Sequence, residues 1–221
     1  MRRNISLQEI SDGKLYSSND MVKADCHDCM GCSKCCRGMG NSIVLDPYDI
    51  YRLSNGLHIS FQQMLQRYLE LNVVDGLTLP NLKMKEDGKC CGFLDQNGRC
   101  SIHFYRPGIC RLFPLGRYYE NESYQYFLQI HECSNQKRSK VKIKKWLDTP
   151  RLKEYEQFIR DWHYFLKEAE QYVLSMDDEE EKKNTNLYIL MSFYIKSYDE
   201  EVDFYQQFYH RLKEAKELLQ A

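Results

Sequence analysis

The run CHDCMGCSKCC, from Cys26 to Cys36, constrains this chain more than any other stretch. Cys26, Cys29, Cys32 and Cys35 recur at every third position and Cys36 follows at once, so eleven residues hold five of the ten cysteines. Two residues between thiols let a tight turn aim both sulfurs at one point, the geometry of zinc knuckles and iron–sulfur loops. The run is expected to be the main metal-binding loop, with the fold assembled around it.

Compartment decides whether such thiols bind metal or pair with one another. The opening MRRNISLQEISDGK carries no apolar segment of the secretory kind, and the most apolar run, Leu187 to Ile195, is too short to span a bilayer. A cytoplasmic location is therefore expected. There thiols stay reduced, and clustered cysteines serve metal or redox chemistry. A disulfide-stapled secreted domain would need an export signal and explains two Cys-Cys doublets poorly. A net charge of −1 gives no global pull toward nucleic acid or anionic membrane.

Taken in order, residues 1–25 show little periodicity, and Ser11-Asp12-Gly13 marks a turn in a segment expected to wrap the surface. Gly38 and Gly40 permit the backbone angles needed where a chain folds closely over a metal centre. Ile43-Val44-Leu45 reads as a short buried strand. Asp46-Pro47 opens a helix expected to end at Gly56. Ser60 to Gln63 has capping-box form and starts a second helix burying Phe61, Met64, Leu65, Tyr68 and Leu69. Asp75-Gly76 predicts a hairpin, and Asn97-Gly98 a type I′ turn with Cys91 and Cys100 on flanking strands. Residues from Tyr124 to Ile130 alternate as a strand. Six of the nine residues from Lys137 to Lys145 are basic, and their alternation fits a strand with lysines facing water better than a nucleic-acid patch.

From Thr149 onward no cysteine appears. Thr149-Pro150 is expected to cap a helix with an apolar stripe from Tyr155 to Val173. Asp177 to Glu181 suits a linker or helix N-terminus. Leu187 to Tyr194 fits a central buried helix, and Val202 to Leu219 a third amphipathic one. The expected architecture is α+β: a cysteine-rich metal-centred domain over 1–148 and a helical extension over 149–221 packed on it.

Four thiolates around a tetrahedral centre mean zinc or an iron–sulfur cluster. Eight ligands allow two such sites, or one cluster and one structural zinc. Neighbouring thiols of a doublet point in different directions, so the two are not expected to share one mononuclear metal. A zinc ribbon pairs two separated knuckles. The present run stacks consecutive thiols in one loop, closer to the ferredoxin type although its last spacing is two residues and no proline follows. An iron–sulfur cluster is expected ahead of zinc.

Cys29-x-x-Cys32-x-x-Cys35-Cys36 resembles the motif of the YkgJ-type cysteine-cluster proteins, a family associated with zinc or iron chelation. The second half is similar too: Cys91-x-Phe93-Leu94, Gly98-Arg99-Cys100-Ser-Ile102, then Arg106-Pro107-x-x-Cys110-Arg111-x-Phe113-Pro114, with Cys133 as a trailing cysteine. The resemblance covers roughly 26–133 and implies Cys29, Cys32, Cys35, Cys36, Cys91, Cys100, Cys110 and Cys133 as metal ligands. Cys26 and Cys90 fall outside it.

A similar cysteine arrangement in flagellin lysine N-methylases implies a catalytic alternative, methyl transfer from S-adenosylmethionine to a protein lysine. No glycine-rich Rossmann loop accompanies it. A zinc-stabilised protein-interaction module is the third reading.

Arg106 and Arg111, bracketing Cys110, could hold an anion, tune thiolates, or cap carbonyls and carboxylates. His103 and His131 could each replace a thiolate or stand behind one. The expected partners are metal ions and, beyond them, a protein; neither membrane nor nucleic acid is expected.

Overall fold

The computed structural model describes residues 6–26, 32–85, 88–133, 135 and 137–219. Cys29 and His27 lie outside the described residues. The segment before the cysteine run is more regular than its sequence suggests: a short helix α1 (Leu7–Ile10) precedes strand β1 (Met21–Asp25). Ser6 caps α1 by accepting the Gln8 amide at 3.3 Å.

Helix α2 (Pro47–Leu57) opens on a capping box, in which the Asp46 carboxylate accepts the Asp49 amide at 2.8 Å and Asp49 returns the bond to Asp46 at 3.2 Å. It runs past Gly56 and stops at His58, whose left-handed φ of 53° ends the helix. Helix α3 (Phe61–Arg67) has the expected Ser60–Gln63 box and buries Phe61 and Met64, while Leu69 starts the next strand.

Strands β2 (Leu69–Val74) and β3 (Leu77–Leu82) pair antiparallel. Asp75 (φ 51°) and Gly76 (φ 83°) supply the two positive φ angles that a type I′ turn requires. Val44 bridges to Asn81 beside this hairpin.

After α4 (Gly108–Leu112), a second hairpin joins β4 (Leu115–Glu120) and β5 (Ser123–Leu128). β6 (Ser139–Lys142) pairs antiparallel with β1, with Lys140 and Lys142 exposed, and α5 (Ile143–Leu147) follows.

Helix α6 (Leu152–Ser175) starts two residues beyond Pro150, after Arg151 adopts a left-handed φ of 51°. Its expected stripe is buried from Tyr155 to Val173, apart from half-buried Leu166 and Tyr172. α7 (Glu179–Leu190) is capped by Asp178, with three glutamates in the first turn.

The expected buried helix over Leu187 to Tyr194 is not continuous. α7 gives way to a π-helical turn, Met191–Ile195, and Leu187 and Met191 stay exposed while Ile189, Leu190, Phe193 and Tyr194 are buried. An extra residue in the turn re-aims the side chains that follow it. α8 (Phe204–Leu219) then begins two residues after Val202, with Asp203 accepting the Gln206 amide at 3.1 Å.

One hydrophobic core holds Ile43, Leu53, Leu79 and Phe93 together with Phe158, Phe193 and Phe208 from α6, the π-helical turn and α8. A smaller one forms under β1, β5 and α5, around Val22, Leu128 and Ile143. Among the described residues, no helix is long and apolar enough to cross a membrane.

Candidate metal centre

Beyond the described gap, Cys32 is exposed and Ser33 turns the chain with a left-handed φ of 49° into a 3-10 turn, Lys34–Cys36. This segment then folds back on the second cysteine block. The Cys91 amide donates to the Cys36 carbonyl at 2.7 Å, the Gly38 amide donates to Lys89 at 2.9 Å, and Arg37 bridges to Cys90. Gly38 does this at φ 66°, a conformation that a side chain would strain.

Cys91 and Cys100 sit on isolated bridges, to Met84 and Leu94, rather than on the expected strands. The turn between them is built by Asp95. Its carboxylate accepts the amides of Asn97 and Arg99, both at 2.8 Å, and only Gly98 (φ 72°) takes the positive φ. A side-chain acceptor at the turn's start replaces the backbone pattern expected from Asn97-Gly98.

Cys110 lies on α4. The start of that helix is fixed by Asp49, whose buried carboxylate accepts the Gly108 amide at 2.7 Å. Arg111 is buried and donates to the carbonyls of Phe104 and Asp148, while Arg52 donates to the same Phe104 carbonyl at 2.7 Å. Arg111 therefore holds the backbone around Cys110.

These segments bring Cys35, Cys36, Cys91, Cys100 and Cys110 to the wall of one cavity of about 80 Å³. Met39, Met84, Ile43, Leu82 and Ile102 supply apolar wall between the sulfurs, and His103 and Arg106 stand among them. No disulfide joins Cys35, Cys36, Cys90, Cys91, Cys100, Cys110 or Cys133. Cys133 is half-buried and His131 exposed, and neither lines the cavity; buried Cys26 and Cys90 do not line it either.

The sulfurs of Cys35 and Cys36 stand 4.0 Å apart. A tetrahedral site with metal–sulfur bonds near 2.3 Å has sulfur–sulfur edges of about 3.8 Å. The doublet expected to diverge thus has its two sulfurs at about that separation, both residues lying in the 3-10 turn.

Among the described residues, no three His, Cys, Asp or Glu side chains converge closely enough to grip a metal as they stand. The donor chemistry nevertheless suits one: five soft thiols in a mostly apolar cavity match the preference of zinc and iron–sulfur centres.

The thiols are not equivalent. The sulfur–sulfur hydrogen bond with Cys36 draws the Cys35 pKa down to about 7, with the nearby Arg106 charge adding to the effect. That same bond, and burial, push Cys36 up. Burial raises Cys91, Cys100 and Cys110, and the neighbouring sulfurs raise them further. Of these thiols Cys35 is the one most favoured as a thiolate, and a metal bound there would have to release protons from the others.

Sequence reasoning singled out the cysteines but passed over Asp49, Met39 and Met84. Asp49 carried one signal, its place in the first turn of α2, which explains a cap but not the reach to Gly108.

No solved structure matches the chain. An uncharacterized protein of Methanocaldococcus jannaschii is 30% identical over 116 residues, covering 49% of this chain and 58% of that relative, so the match spans less than two thirds of its length. The family model described as "CxxCxxCC: Putative zinc- or iron-chelating domain" matches residues 28–148. That match covers more than half of the sequence, and the chain belongs to the CxxCxxCC family.

Proposed function

We propose that this protein holds a thiolate-ligated metal centre in the cavity lined by Cys35, Cys36, Cys91, Cys100 and Cys110, and that an iron–sulfur cluster is its first candidate. The observation that carries the reading is the convergence of five cysteines from three separate segments on one mostly apolar cavity. Cys29, Cys32 and Cys133, the further thiols of the motif, complete the proposed donor set. Stacked thiols in a single loop favour the cluster. Metal binding would tie residues about a hundred positions apart into one structure, so it would also stabilise the fold.

The 4.0 Å spacing of Cys35 and Cys36 supports a second reading, a tetrahedral zinc site. Anaerobic purification followed by metal and acid-labile sulfide analysis separates the two. The cluster predicts iron, sulfide and visible absorption that bleaches on reduction. Zinc predicts a colourless protein that a chelator destabilises. A fully folded, metal-free protein that takes up neither metal would overturn both.

A further inference from the structure

Arg106 stands on the cavity wall, and its side chain is incompletely used among the described residues. Its Nη1 donates to His103 Nε2 at 2.5 Å, which fixes the plane of the guanidinium. Its Nε is buried and has no hydrogen-bond partner among the described residues. Its surroundings are repulsive, because Arg106 and Arg52 both bear on the buried Arg111 and, after burial, hold that guanidinium down to about 10. No carboxylate pairs with Arg106 among the described residues. Leaving a buried N–H without an acceptor is costly, so its position beside a cavity calls for an anionic acceptor there. Arg106 shares the cavity wall with Cys35 and Cys100, and its charge favours the thiolate form of both.

We propose that Arg106 is the counter-cation of the centre: its orphaned Nε–H donates to a sulfur of the bound metal–thiolate unit, and its charge offsets the negative charge of that unit. This rests on the thiolate-centre reading above. Four thiolates around Zn²⁺, or around a four-iron cluster, leave a net anion in a poorly solvated cavity, and one fixed guanidinium lowers the cost of holding it there. His103 then acts behind Arg106 as a positioning residue. It accepts from Nη1, so its Nε2 is committed to the guanidinium and not to the metal.

The test compares the parent with Arg106→Met and Arg106→Lys in the full chain, loaded with cobalt(II) as a coloured stand-in for zinc. Sulfur-to-cobalt charge transfer reports how tightly each thiolate holds its electrons, and an N–H···S bond moves the band to shorter wavelength. R106M is expected to shift it to longer wavelength at unchanged cobalt stoichiometry, and to lose about tenfold to a hundredfold in zinc affinity by chelator competition. R106K keeps the charge and should recover most of the affinity. Far-ultraviolet circular dichroism of the loaded forms separates this from misfolding, and if R106M does not fold the comparison rests on R106K and Arg106→Gln. An unshifted band with parental affinity in the charge-removing variant would overturn the role of Arg106 and leave the centre standing. A parent that binds no metal would overturn the centre itself.

Discussion

Gly108 donates its backbone N–H to the Asp49 carboxylate across 2.7 Å, tying the start of α4 to the first turn of α2 two residues before Cys110. Asp49 is buried, and burial pushes its pKa up to about 6 against the pull of the Gly108 and Asp46 amides. Asp49→Ala leaves both amides without that acceptor, at a cost of about 1–3 kcal/mol each. Asp49→Asn retains one acceptor oxygen and should lose less. Urea unfolding should place the variants in that order, with metal affinity falling alongside because Cys110 loses its anchor. Equal losses from Asn and Ala would contradict the carboxylate's role.

The same junction explains why residue 108 is glycine. A Cβ there would overlap the hydroxyl of Tyr155, whose ring is 2% exposed and has no room to retreat. Gly108→Ala is expected to cost about 1–3 kcal/mol through overpacking. Tyr155→Phe removes the overlapping atom, so the double variant should regain part of that loss. A double variant no more stable than Gly108→Ala would place the strain elsewhere.

Position relative to the cavity should sort the cysteine variants. Cys35→Ser and Cys110→Ser are expected to lose metal and thermal stability together, since each removes a soft donor from the wall. Cys90 is 8% exposed but does not line the cavity, and Cys90→Ser should keep its metal with a modest packing loss. Metal content per chain and melting temperature check this. Parallel losses in all three would dissolve the distinction.

Short-range chemistry made much of the fold legible. Asp46-Pro47, the Ser60–Gln63 box and Asp75-Gly76 act within four residues, and each appears where its physics puts it. Features decided at long range were not legible. β6 shows in the lysine alternation, but β1 is not readable because it is too short to announce itself and its partner lies more than a hundred residues away. The π-helical turn at Met191–Ile195 depends on what Phe193 and Tyr194 must reach in the core, which periodicity does not encode. At the centre, spacing identified the thiols. Which of them meet was set by the backbone bond from Cys91 to Cys36 and by the Asp95 turn, contacts that no motif announces.

Stability should fall in acid through His163. Its imidazole stacks on Tyr119 with centroids 3.6 Å apart, and burial first, then the charges of Lys167 and Arg117, lower its pKa to about 4. The folded value lies below the unfolded value of about 6.5. Folding therefore favours the neutral ring; this contribution is complete above about pH 6.5 and lost as pH falls toward 4. His163→Phe keeps a stacking ring and removes the titration. Its urea midpoint should decline less than the parent's between neutral pH and the low edge of that window. Identical pH slopes would exclude His163 as the group responsible.

Arg211 holds the end of the π-helical turn. It is 6% exposed and spends its guanidinium on three carbonyls, Ser192 at 2.9 Å and Lys196 at 2.7 Å from Nη1, and Ser197 at 2.7 Å from Nη2. The guanidinium also lies over the Tyr198 ring, 3.8 Å from its centroid. A turn that departs from α-helical bonding leaves carbonyls that need outside donors, and a planar fork can serve several at once. Arg211→Met strips all three and should cost about 3 kcal/mol or more. Arg211→Lys keeps the charge but not the fork, so it should recover less than half of that loss. Urea unfolding gives the magnitudes, and near-ultraviolet circular dichroism should show altered aromatic packing in both variants. A lysine variant as stable as the parent would mean that charge alone, rather than the geometry of three shared carbonyls, secures this turn.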